Sequence, residues 1–272
     1  MHDLKLTVSD VNHIYNELSS VSEFDFNDYA FSFKKSIILK YMSLNNIPVA
    51  DDFIFKLNNS ASFVSEFIKT IFVPQTEMFR DPELWNYMQE KTFPKLLLKK
   101  EVNIHIPVCI TGEEINSLMF FLGLYKSTHV TITVSYPLKE HEEQIKNRIF
   151  TQKDIKACEK NIELLKNILN PEDVFSGHSN QMKINHFYRG QMRFEQCDIR
   201  NQQNISEFDL ILFRNRLIYY NEYLQDEILK KIIGSLKKGG LLILGERETL
   251  GQFSGKFKKI NSNLSIYKKR II

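Results

Sequence analysis

The chain has 272 residues, 43% hydrophobic, 25% charged and 12% aromatic, the profile of an ordinary globular protein with room for one or two domains. Lys+Arg is 36 and Asp+Glu is 33, so the net charge of +3 is too even to suggest nucleic acid or a membrane surface as partner. The longest apolar run, Leu118 to Leu122, falls far short of the roughly twenty residues of a membrane span, and no membrane insertion is expected.

The first hundred residues read as helices. Val11, Ile14, Tyr15 and Leu18 keep helical spacing, with Thr7 or Ser9 as the cap. Phe33, Ile37, Ile38, Tyr41 and Met42 predict a second helix. Phe63, Val64, Phe67, Ile68 and Ile71 predict a third, opened by Ser60 or Ser62 and set apart by a turn-rich stretch from Asn45 to Asp52. Pro82 suits a helix start, with Leu84, Trp85 and Met88 behind it.

The pattern changes near Val102. Alternation at Val102, Ile104, Ile106, Val108 and Ile110 is strand period, and Glu113 to Tyr125 reads as a helix after Thr111-Gly112. Val130 to Val134 is a second strand. Helices are predicted from Lys139 to Phe150 and from Lys153 to Leu169, with Thr151 and Asp154 at capping-box spacing. Gln181 to Tyr188 and Gln191 to Cys197 suggest a hairpin around Arg189-Gly190. Asp209 to Phe213 is a short, wholly apolar run after its leading acid, as in a buried parallel strand. A helix from Leu224 to Leu236 should end at Lys237-Lys238-Gly239-Gly240, before a strand from Leu241 to Leu244. The tail reads as a closing hairpin around Asn261-Ser262-Asn263.

Helices followed by alternating strand and helix predict an α/β fold: a helical N-terminal domain, residues 1–98, and a sheet domain, residues 99–272, with a small β insertion at about 178–195. Ligands of such a sheet sit at the carboxyl ends of its strands. The ten glycines include no GxGxxG and no GxxxxGK[ST], and six of them lie between Gly234 and Gly255. Cys109, Cys158 and Cys197 are far apart and form no CxxC, which argues for a reducing compartment and against a zinc site, so no metal is expected. The opening MHDLKLTVSD lacks the apolar core of a secretion leader.

Three segments are polar where a plain fold has no need of it: Thr76 to Pro82, Thr111-Gly112-Glu113-Glu114, and Arg214-Asn215. Singly, each has a bland reading as a surface pair, a helix-dipole acid or a turn. In this order they resemble the CheR chemotaxis receptor methyltransferases. Gln75-Thr76-Glu77-Met78-Phe79-Arg80-Asp81-Pro82 is similar to that family's NETxFFRDP, and Cys109 to Ser117 matches CSTGEEPYS in part. Phe208 to Tyr220 matches FDxIxCRNVxIYF well, and Leu236 to Glu248 follows LKPGGxLxLGHSE.

The resemblance implies a Rossmann-like S-adenosylmethionine methyltransferase sheet domain and a cytoplasmic enzyme. It would move a methyl group to glutamate side chains of a chemotaxis receptor's cytoplasmic domain, leaving S-adenosylhomocysteine. Arg80 and Tyr219 would lie near the methyl group. Thr76, Arg80, Gly112, Glu113 or Glu114, Asp198, Ile199, Arg214 and Asn215 would line the cofactor. Several positions depart from the pattern. Pro74 lies near the family's leading asparagine, and Val108 replaces a glycine of the first strand. Val134-Ser135-Tyr136-Pro137-Leu138 replaces the acidic segment that grips the ribose. Arg216 also replaces an apolar residue, and the family's arginine-rich second helix carries only Lys34, Lys35 and Lys40. Two readings follow: a divergent protein-glutamate methyltransferase, or a relative that keeps the fold as a binding or regulatory module without catalysis.

Overall fold

A computed structural model describes residues 5–74, 77–178, 181–201 and 207–271. The chain forms two compact units, Met1–Val73 with Arg216–Glu227, and Pro74–Asn215 with Ile228–Ile272.

The first unit is built on α1 (Val8–Val21), α2 (Phe31–Leu44), α3 (Ala50–Asn59) and α4 (Ala61–Ile71). Thr7 and Asp10 close a reciprocal capping box on α1, and Ser60 caps α4 by accepting from the Phe63 N–H. The apolar stripe of α1, Val11, Ile14, Tyr15 and Leu18, is buried in full. Beside it the rings pack edge to face, as with Phe53 and Phe67 at 4.8 Å and 80°. The stretch read as turn from Asn45 to Asp52 already contains the start of α3, which opens from Val49 without a side-chain cap.

The second unit carries α5 (Pro82–Tyr87), a π-helical turn at Met88–Thr92 and α6 (Phe93–Leu96), then β1 (Val102–Ile106), α7 (Glu113–Leu124) and β2 (Val130–Tyr136). After these come α8 (Lys139–Lys146), α9 (Gln152–Leu164), α10 (Pro171–Val174), β3 (Phe175–His178), β4 (Gln181–Ile184) and β5 (Gln191–Gln196). The chain finishes with β6 (Phe208–Phe213), α11 (Glu222–Ser235), β7 (Leu236–Leu244), β8 (Phe257–Lys259) and β9 (Ile266–Lys269). Seven strands form one sheet in the order β5-β2-β1-β6-β7-β9-β8. The first five run parallel, and β9 is antiparallel to both β7 and β8. This is the α/β architecture expected from the sequence, and the tail hairpin forms as read.

Several boundaries move. Residues 82–96 join the sheet unit rather than a helical domain ending at 98, because Leu84, Trp85, Met88, Phe93 and Leu96 are part of its core. Gln181–Ile184 and Gln191–Gln196 do not pair around Arg189-Gly190. Instead β4 pairs antiparallel with β3 in a separate two-stranded sheet, while β5 lies parallel on β2 with Tyr136 opposite Gln196. The β insertion therefore occupies Phe175–His178 and Gln181–Ile184, and the expected 178–195 is corrected. The helix expected to Phe150 stops at Lys146, and the next runs Gln152–Leu164, opened by the Thr151–Asp154 capping box. Lys237 to Gly240 open β7 rather than ending α11, with Gly239 at φ 74°.

Candidate functional site

The connection order reverses between β1 and β6, which are neighbours in the sheet. In open parallel sheets the crevice at that reversal, beyond the carboxyl ends, is where ligands bind. The segments that leave those ends are Pro107 to Gly112 after β1, Pro137-Leu138 after β2, Cys197 to Arg200 after β5, Arg214-Asn215 after β6 and Gly245 to Glu248 after β7.

Arg214 ties three of the sequence motifs together. It follows the fully buried β6 and is itself only 2% exposed. Its Nη1 donates to Glu114 Oε1 at 2.8 Å, and its Nη2 donates to Asp81 Oδ2 at 2.7 Å and to the Arg80 carbonyl at 2.8 Å. Burial works against the guanidinium's charge, but Glu114 and Asp81 outweigh it and hold Arg214 more firmly protonated than a free arginine. The Trp85 indole donates to the same Arg80 carbonyl at 3.0 Å. Arg80 is thus fixed by its backbone. Its own guanidinium, half-buried, makes no ion pair among the described residues.

The two glutamates at the start of α7 separate in role. Glu114 is spent on Arg214. Glu113 accepts from Arg148 Nη2 at 2.8 Å, and its Oε2 is buried without a hydrogen-bond partner. Burial pushes the Glu113 carboxyl above the usual carboxylate range, against the pull of Thr111 and Arg148. Gly112 caps this helix where a side chain would crowd two neighbours. A Cβ there would stand 2.7 Å from Asn116 Nδ2 and 3.1 Å from Arg148 Cβ. Ser117, one turn on, accepts from the Phe79 N–H at 2.8 Å and so ties the Arg80 segment to α7.

Asn215 sits at φ 56°, and Phe79 and Asp81 also hold left-handed backbone, at φ 53° and 58°. Non-glycine residues in that region store strain that the surroundings must impose, and such strain gathers at functional sites. The surroundings here are Glu248. One oxygen, Oε2, accepts from the Asn215 N–H at 2.9 Å and the Gly245 N–H at 2.7 Å, binding the ends of β6 and β7 to each other. A Cβ on Gly245 would stand 2.8 Å from both Asn215 and Glu248. Asn215 Oδ1 is buried without a partner. Glu248 was legible only as the last letter of the LGxxE pattern, with no role attached.

The remaining expected site residues are placed as follows. Asp198 accepts from the Arg200 N–H at 2.9 Å and pairs with the Arg200 guanidinium; Ile199 is buried. Thr76 lies outside the described residues. Tyr219 belongs to the other unit, where its carbonyl accepts from the Ala30 N–H at 2.9 Å and its ring packs 4.7 Å from Phe33. In that unit Arg216 donates to the Val73 carbonyl at 2.6 Å. At the end of β2, Tyr136 stands where an acid was looked for, and its hydroxyl donates to Glu142 of α8. Lys146 and that hydroxyl hold the Glu142 carboxyl below the usual carboxylate range.

Glu113 Oε2 and Asn215 Oδ1 are both buried acceptors lacking a donor. They fit a ligand that brings an ammonium group and hydroxyls, as S-adenosylmethionine does. No cluster of three metal-ligating side chains occurs among the described residues.

The chain is similar to known proteins over most of its length. The family model described as "CheR methyltransferase, SAM binding domain" matches residues 74–266. A putative methyltransferase, Cher3, of Pseudomonas putida is 24% identical over 250 residues, 90% of this chain and 91% of that protein. A chemotaxis protein methyltransferase of Listeria innocua is 24% identical over 221 residues, 79% and 80% of the two chains. Among solved structures, an rRNA methyltransferase from Streptomyces viridochromogenes is 11% identical, covering 67% of this chain and 83% of that one at a TM-score of 0.39.

Proposed function

The chain belongs to the CheR methyltransferase family and uses S-adenosylmethionine, and on that premise we propose that it methylates glutamate side chains on the cytoplasmic domain of a chemotaxis-type receptor. The cofactor, when bound, supplies an electrophilic methyl group on a sulfonium. A glutamate side chain is already ionised near neutral pH, so the protein needs no strong base. Its task is positioning a carboxylate oxygen in line with the methyl carbon while the methyl–sulfur electron pair stays with sulfur.

The Arg214 anchor carries this reading. One buried guanidinium fixes Asp81, Glu114 and the Arg80 backbone. The Arg80 side chain is thereby presented on a rigid backbone with its charge unspent. A guanidinium suits a carboxylate, which it grips with parallel hydrogen bonds. Arg80 would hold the substrate glutamate. Asn215 Oδ1 and Glu113 Oε2 would accept from the cofactor, and Gly112 would keep the α7 start open. Asp198, Ile199 and Thr76 would complete the lining.

The second reading, a binding module without catalysis, is favoured by Pro74, Val108 and the loss of an acid at Tyr136. The Tyr136–Glu142 contact supports the enzyme reading instead, because a carboxylate is still held beside the end of β2, on α8. The deciding experiment is calorimetric titration of the full chain with S-adenosylhomocysteine, followed by methylation of a receptor cytoplasmic fragment with labelled cofactor. Micromolar binding and base-labile label on glutamate are expected. No binding up to millimolar overturns the enzyme reading.

A further inference from the structure

Away from the carboxyl ends of the strands, a cavity of about 390 Å³ opens beside the amino ends of β6 and β7. Its lining includes Lys91, Lys95, Lys99, Lys258 and Lys268, against one acid, Asp209. That acid is already committed. Asp209 accepts from Lys99 at 2.6 Å, from Lys237 at 2.8 Å and from the Asn103 N–H at 2.9 Å. Burial alone would raise the Asp209 carboxyl, but these donors hold it below the usual carboxylate range. Lys91, Lys95, Lys258 and Lys268 form no ion pair among the described residues.

A chain with a net charge of only +3 has no compositional reason to gather five lysines around one hollow. All five side chains are exposed, so the hollow presents positive charge that an anion entering it would meet. The volume lies in the small-molecule range, so the occupant fits as one compact ligand rather than a polymer. Lysines are flexible point charges that suit phosphate, and four uncommitted ones suit several phosphates in a row. Tyr87, Leu241 and Ile260 add an apolar wall. We propose that this pocket binds a small polyphosphate, with its phosphates on Lys91, Lys95, Lys258 and Lys268 and with Asp209 holding Lys99 in place. The apolar wall favours a nucleoside di- or triphosphate over a bare phosphate chain. The site is separate from the methyl-transfer cleft and does not depend on that activity.

The test is calorimetric titration of the full chain with ATP, inorganic tripolyphosphate and AMP, at low and physiological salt. Each titration is repeated with S-adenosylhomocysteine in excess. ATP should bind in the micromolar range, weaken as salt rises, and ignore S-adenosylhomocysteine. AMP should bind at least tenfold more weakly. The Lys95→Glu/Lys258→Glu variant should lose at least tenfold in ATP affinity while its circular dichroism stays unchanged. If that variant fails to fold, Lys95→Ala and Lys258→Ala, each alone, should weaken ATP severalfold. Equal binding of ATP and tripolyphosphate would identify the phosphate chain as the whole determinant, and tighter ATP would add the base; both support the proposal. It is overturned by no binding of either up to millimolar. Undiminished affinity in the lysine variants, AMP binding as tight as ATP, or displacement by S-adenosylhomocysteine would overturn it equally.

Discussion

At the scale of single residues, the site separates groups that hold from groups that are left to act. Arg214 holds. Replacing it with Met would leave the buried Glu114 carboxylate, and the half-exposed Asp81 beside it, without a cation, a loss of about 3–5 kcal/mol. Chemical denaturation should show that loss, and Lys should rescue only part of it because an ammonium cannot reproduce the fork. Arg80 acts. Arg80→Ala should leave the unfolding midpoint nearly unchanged, because the backbone carbonyl that Arg214 and Trp85 grip survives, while methyl transfer disappears. Turnover at the wild-type rate in that variant would remove Arg80 from the mechanism. Glu142→Gln tests the carboxylate beside Tyr136. If this carboxylate grips the ribose, S-adenosylhomocysteine affinity should fall roughly tenfold, read by calorimetry. The sequence disclosed the residues of Arg80, Glu114, Arg214 and Asn215 but not their division of labour. That division depends on which charges meet across about a hundred residues of chain, as Glu114 and Arg214 do. Glu248 was missed for the same reason, since its two partners lie on different strand ends.

At the scale of elements, what was legible is what local chemistry decides. The Thr151–Asp154 box opens α9 as its spacing indicated, and Thr151→Ala should cost about 1 kcal/mol, read from the urea midpoint. The apolar run of β6 is buried at every position, as a central parallel strand must be. The hairpin around Arg189-Gly190 failed because its turn signal was real but its pairing was not. The partner of β5 is β2, some sixty residues earlier, and no local pattern records a parallel partner. The start of α3 was hidden by Asn45, Asn46 and Pro48 before it, by Asp51-Asp52 in its first turn and by a cap without a side-chain bond. Sheet joints also set an acid limit. Asp209 joins β6 to the Asn103 N–H of β1, and its folded carboxyl titrates below its unfolded value. Its contribution is therefore complete above about pH 4 and lost as pH falls through the lowered folded value. Asp209→Asn should remove that part of the acid transition.

At the scale of the whole molecule, His105 makes stability fall sooner on acidification. It lies in the middle of β1, bonded to Ser135 Oγ at 2.9 Å and stacked on Phe208, and burial pushes its imidazole down to about 3. The unfolded chain takes up this proton near pH 6.5 and the folded chain does not, so stability declines from there toward pH 3. His105→Gln should flatten the change in urea midpoint between pH 7 and pH 5. A different consequence follows from the segment Arg216–Glu227. Although it comes after most of the sheet, it belongs to the helical unit. Its Tyr220 ring meets Tyr29 edge to face at 5.0 Å, and Asn221 bonds Asp28 through backbone and side chain. The chain therefore passes between its units at three points rather than one. No single cut yields either unit whole, so neither can be traded between genes as a cassette. A helical unit transplanted without residues 216–227 would lack its last piece, and a sheet unit beginning at Pro74 would carry that piece as an orphan with Leu217, Tyr220 and Leu224 bared to water. Recombination that respects this protein must move the two units together.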